Sequence, residues 1–148
     1  MTAVVADTGV KLTVGEIVIV AAGAADLVFS FLPWYTFGDN HVGAWGTTLF
    51  PLATLVPILG ALMMVQVVVH KLTSVSLPPL VGDFTWEQLH LVAAVSAAVI
   101  AFCYLFVSRG SLSLGFGYYL DLLAAVALVV GAVMIRSERN RRGPSPLM

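Results

Sequence analysis

The chain has 148 residues, of which 59% are hydrophobic and 10% charged, with a formal net charge of −1. Soluble domains carry about 25% charged residues, and a small soluble protein has too little interior to hide this much apolar surface, so lipid is the solvent for most of the chain. The near-neutral charge points away from a nucleic-acid partner, and the lone Cys103 excludes both an internal disulfide and the paired thiols of a dithiol oxidoreductase.

The chain opens with Asp7 and Lys11 rather than a basic start, and the apolar run that follows exceeds the roughly 7–15 residues of a signal-peptide core, so this end reads as something other than a signal peptide. A bilayer core is about 30 Å thick and takes about 20 apolar residues as helix. Stretches of that length lie at about 17–37, interrupted by Asp26 alone; at about 48–69, ending at His70-Lys71; at about 86–107, between "GDFTWEQ" and Arg109; and at about 115–135, ending at Arg136. Short connections make consecutive helices antiparallel neighbours. The predicted class is therefore all-α: residues 1–136 form one up-down-up-down bundle of four transmembrane helices. Residues 137–148 form an Arg-rich tail, expected to be cytoplasmic and disordered.

Local signals support these limits. "TVGE" places Thr13 at an N-cap with Glu16 three residues later, and "TWEQ" repeats the pattern with Thr85 and Gln88. In such a box the hydroxyl accepts from an orphan amide and the longer side chain reaches back. Pro51 falls in a first turn, where proline is tolerated, whereas Pro57, with Gly60 near the middle of the second span, predicts a kink and a freed carbonyl at Ala53. Basic residues set the orientation. With both termini inside, Lys11, Lys71, Arg136, Arg139, Arg141 and Arg142 are cytoplasmic and Arg109 alone is outside. The tail arginines act first as a stop-transfer signal and could also hold anionic lipid headgroups, at about 1 kcal/mol per base. Trp34, Tyr35, Trp45, Tyr118 and Tyr119 then read as an outer aromatic belt, and Trp86 as an inner one.

Lipid supplies no hydrophobic force between spans, so small residues and polar contacts must join them. Ala93, Ala97 and Ala101 recur at four-residue spacing, as do Ala127 and Gly131, and the first span offers Ala21, Gly23 and Ala25. These serve helix contact within one subunit or a seam between copies. Asp26 lies near the middle of its predicted span, and Asp121 about two turns below the outer face. No basic residue is placed to neutralise Asp26, and Arg109 could snorkel only as far as Asp121. Burial without a cation favours the neutral acid, which could donate to Ser96 or to the Ala53 carbonyl. On this register the two acids differ in depth by roughly 7 Å, which speaks against a shared proton. Asp26 is then polar glue between helices, the partner of a base on another protein's span, or a carrier of protons or cations.

"EQLH" puts Glu87 and His90 on one helix face, as in carboxylate-bridged metal sites. Only His70 and Asp83 could extend the set, and a first-turn Glu suits the helix dipole, so no metal and no cofactor are expected. His41 reads as a solvated loop residue. The outer loops "TFGDNHVGAWGTT" and "SRGSLSLGFG" are too short to fold separately. No nucleophile–base constellation, phosphate loop or repeat is present, so no enzymatic activity is expected.

The run "SFLPWY…AWG" leaving the first span, "GFGYYLDLLAAVALVVGAVM" as the last, and the Arg-rich tail resemble small four-span membrane proteins of actinobacteria. The resemblance implies a plasma-membrane location in a cell with a complex envelope, and it assigns no catalytic or binding residue. The leading functional expectation is an accessory or assembly subunit of a larger membrane complex. Its partners would be membrane lipids and another membrane protein, one with a basic intramembrane residue or a second copy of the chain. The alternatives are a small proton-, ion- or lipid-linked transporter component using Asp26, and an integral membrane enzyme acting on lipid.

Overall fold

The computed structural model describes residues 3–4, 11–46, 51–73, 78, 80–107, 110–141 and 143. Arg109, Arg142, the expected start of the second span at 48–50 and the tail end at 144–148 lie outside them. The order is β1 (Ala3–Val4), β2 (Lys11–Leu12), α1 (Val14–Phe29), β3 (Tyr35–Phe37), β4 (Asn40–Val42), α2 (Leu52–Leu72), β5 (Leu80–Val81), β6 (Phe84–Thr85), α3 (Trp86–Cys103), β7 (Ser113–Leu114) and α4 (Phe116–Arg141). α2, α3 and α4 are each long and apolar enough to cross a membrane.

The first predicted span is corrected. Its helix stops at Phe29, leaving 16 residues, or about 24 Å at the usual rise. Pro33 has no N–H for a helix and holds the residue before it out of helical geometry. The chain turns through Ser30–Leu32 and continues as β3. α3 likewise ends at Cys103 rather than 107. α4 runs on to Arg141, so Arg139 and Arg141 stand on a helix where a disordered tail is expected. Both capping boxes form: Thr13 N–H donates to Glu16 at 2.8 Å and Thr85 N–H to Gln88 at 2.9 Å.

The chain is mostly helical, as the sequence predicts, with short strands of two or three residues added at the helix ends. β3 is the centre of a three-stranded antiparallel sheet in the order β4-β3-β7, which joins the loop after α1 to the loop before α4. Gly38, at φ +55°, makes the turn between β3 and β4, a conformation that suits glycine. Gly115 N–H donates to Trp34 O at 2.7 Å, and the Thr36 and Ser113 hydroxyls meet at 2.8 Å. These hydrogen bonds make one platform from loops too short to fold apart.

α1 packs between α2 and α4, and α3 packs on the same two helices from the opposite corner. We call the end holding the starts of α1 and α3 the basic end, and the other the sheet end. Two cores fill the bundle. Near the basic end lie Ile19, Met63, Val67, Ala94, Leu128 and Ala132. Near the sheet end Trp34, Tyr35, Tyr104 and Tyr118 pack over Ala53, Ala97, Ala101 and Ala125. Trp34 meets the Tyr104 and Tyr118 rings edge-on at 5.5 Å each, a favoured aromatic geometry. Tyr118 Oη donates to Ala101 O at 2.7 Å and Tyr35 Oη to Tyr104 O at 3.1 Å.

Trp34, Tyr35 and Tyr118 are thus buried core rather than interfacial belt, because the sheet folds them inward and backbone carbonyls take their hydroxyls. Trp45 and Tyr119 are exposed and Trp86 is half-buried. Trp45 stacks on Phe31 at 5.6 Å while its Nε1 donates to Ser30 Oγ at 2.8 Å.

Candidate functional site

Glycines set the spacing of the helices around the two buried acids. A Cβ at Gly23 of α1 would stand 2.5 Å from Gly60 O of α2. A Cβ at Gly131 of α4 would stand 3.2 Å from Gly15 O of α1. Backbones can approach this closely only where side chains are missing. Gly60, expected to assist a kink, is in fact a seat: a Cβ there would lie 2.5 Å from Asp26 Oδ2 and 3.2 Å from Leu128 Cδ1. The Asp26 carboxyl rests on the bare backbone of α2. Pro57 is buried one turn before Gly60, and α2 runs unbroken past it.

Asp26 and Asp121 are both fully buried, and their carboxyl groups face one another from α1 and α4. The Trp34 indole stands beside Asp121. Outside this trio, none of the four carboxyl oxygens, nor Trp34 Nε1, has a hydrogen-bond partner among the described residues. The expected separation in depth is therefore overturned. α1 ends only at Phe29, and α4 begins at Phe116 beside it, so both acids lie within about 4–8 Å of the same helix ends. Depth counted from a span reaching residue 37 had placed Asp26 too far from that end.

The expected contacts of Asp26 with Ser96 and with the Ala53 carbonyl are also absent. Ser96 is on α3, diagonal to α1, and lines a groove between α2 and α3. The Ala53 backbone meets Tyr104 instead. Ala97 and Ala101 are fully buried against α4 and the aromatic core, whereas Ala93 and Ala127 are half-buried.

Two carboxylates held face to face without a cation repel each other, and a proton kept between them removes that repulsion. The ion pairs among the described residues lie elsewhere, at the basic end: Lys71–Glu16 at 3.1 Å and Arg139–Glu87 at 2.8 Å. The Arg139 guanidinium is held more firmly protonated by its hydrogen bond to Glu87. Arg136 and Arg141 are exposed. The sequence signalled both acids but not their meeting, nor Trp34 as a neighbour, because the shortened first helix and the inward-folded sheet set both.

The basic end also holds a cavity of about 360 Å³, lined by Glu16, Gln66, His70, Trp86, Glu87 and His90 among others. His90 is 6% exposed and its Nε2 is buried without a partner. Among the described residues no three such side chains converge closely enough to hold a metal ion. No family model, curated protein or solved structure matches this chain.

Proposed function

We propose that the chain is a multi-pass plasma-membrane protein with both termini cytoplasmic, acting as an accessory or assembly subunit through its helix surfaces. One observation carries the reading: its acids are enclosed by its own helices, while every helix turns large apolar side chains outward, among them Val28, Leu62, Val99 and Leu123. Enclosure removes Asp26 from any base on a partner's span, so the carboxyl pair locks this chain's own helices and the outward apolar faces do the binding. The orientation is supported by the gathering of Lys71, Arg136, Arg139 and Arg141 at one end, which the positive-inside rule makes cytoplasmic. Purification in a gentle detergent followed by mass spectrometry should recover a larger membrane protein in stoichiometric amount. A clean monomer would overturn the reading.

A specific observation favours a second one. Two facing carboxyls with no cation beside them are the groups a proton would visit in a small transporter component. Asp26→Asn keeps shape and hydrogen-bonding capacity but removes ionisation. In proteoliposomes under a pH gradient it should abolish proton-coupled flux, and unchanged flux would end this reading.

A further inference from the structure

The cavity at the basic end does not stand alone. Gln66, Trp86 and His90 line it and also line a groove of about 310 Å³ that runs between α2 and α3. The rest of the groove is almost wholly apolar, formed by Leu59, Leu62, Met63, Leu89, Val92 and Ala93 with Ser96 at the edge. A polar pocket thus opens into an apolar channel on the flank of two helices long enough to span a bilayer. That is the outline of an amphiphile lying along the protein, head at the membrane surface and tail among the acyl chains.

The pocket's chemistry selects the head. Glu16 and Glu87 present carboxylates to it, and among the described residues no Lys or Arg lines it. Their counter-ions, Lys71 and Arg139, line a neighbouring cavity that shares Glu16 and Glu87. His90 brings a buried ring nitrogen without a partner. A neutral imidazole nitrogen accepts a hydrogen bond, a carboxylate accepts without donating, and an indole face attracts a cation. Together these fit a group with positive charge and several N–H donors.

We propose that the groove and cavity form one binding site for a phospholipid with a primary ammonium headgroup. The ammonium donates to His90 Nε2 and to Glu16 or Glu87, and one acyl chain lies along Leu62, Leu89 and Val92. A choline head carries the charge but no N–H and leaves His90 unpaired; a glycerol head carries donors but no charge. The site rests on lipid surrounding α2 and α3, not on a partner subunit, so it survives if the protein proves to be a monomer.

The test uses the full chain in detergent micelles, titrated with equimolar phosphatidylethanolamine, phosphatidylcholine and phosphatidylglycerol, with retained lipid counted by native mass spectrometry. Phosphatidylethanolamine should be retained about tenfold over each of the others, equivalent to about 1.4 kcal/mol. Ser96→Trp, which fills the groove, and His90→Phe, which removes the acceptor, should each erase that preference. Phosphoethanolamine, the same head without chains, should compete at least tenfold more weakly. Equal retention of the three lipids, equal competition by the chain-free head, or an unaltered preference in Ser96→Trp would each overturn the proposal. The headgroup comparison needs no variant, so it decides the matter even where a substitution prevents folding.

Discussion

Gly23→Ala tests the backbone contact on which the acid site depends. Two effects oppose each other. Replacing glycine by alanine inside a helix stabilises by about 0.5–1 kcal/mol through the unfolded chain and the backbone. Against that, the new Cβ would stand 2.5 Å from Gly60 O and 3.2 Å from Gly60 C. Both are backbone atoms that no rotamer can move. Ordinary contact begins near 3.4 Å, so α1 and α2 must separate by about 0.9 Å. α1 cannot shift freely, because its other face is held against α4 at Gly15, where an added Cβ would meet Ile135 N at 2.7 Å. Overpacking of this kind costs about 1–3 kcal/mol, so the net expectation is a loss of up to about 2.5 kcal/mol, centred near 1 kcal/mol. The assay is reversible unfolding in mixed micelles of rising sodium dodecyl sulfate, followed by far-ultraviolet circular dichroism. Ala21→Gly, on the exposed face of the same helix, calibrates propensity alone and should cost about 0.5–1 kcal/mol. A Gly23→Ala protein more stable than the parent would refute the close packing.

Two further outcomes follow from the sheet end. Trp34→Ala removes a fully buried ring with two edge-on aromatic contacts and should cost about 3–5 kcal/mol in the same titration; a loss below about 1 kcal/mol would mean the indole is not core. Orientation is checked by single cysteines in a Cys103→Ser background. With a membrane-impermeant thiol reagent on intact cells, Asp39→Cys should label at once and Asn140→Cys only after permeabilisation, and the reverse pattern would invert the proposed topology.

Much of the helical framework was legible because lipid imposes a length rule. Thr13 with Glu16, and Thr85 with Gln88, fix where α1 and α3 begin, and apolar runs fix the length of α2. What escaped was the end of α1. A hydropathy count treats "SFLPWY" as continued span, because Phe, Leu and Trp are as apolar in a turn as in a helix. Only Pro33 argued for a stop, and a proline in a membrane helix is often absorbed as a kink. Once the helix ends at Phe29, the depth of Asp26 changes and it meets Asp121. Trp34, Tyr35 and Tyr118 were misread for a related reason. Aromatics near a span's end usually face the interface, but here β3 pairs with β7 and turns them inward. That pairing joins residues 77 or more positions apart, a distance no local pattern reports.

The same long-range pairing has a bearing on biogenesis. Strand β3 has β4 beside it almost as soon as both are synthesised, but its second edge waits for Ser113 and Leu114. Until the ribosome delivers that last segment, the Trp34 indole lacks its Tyr118 wall and the acid on α1 lacks its companion on α4. A chain made only as far as α3 is therefore an unfinished intermediate. The final segment acts as a clasp whose arrival closes strand edge, aromatic core and carboxyl pair in one event.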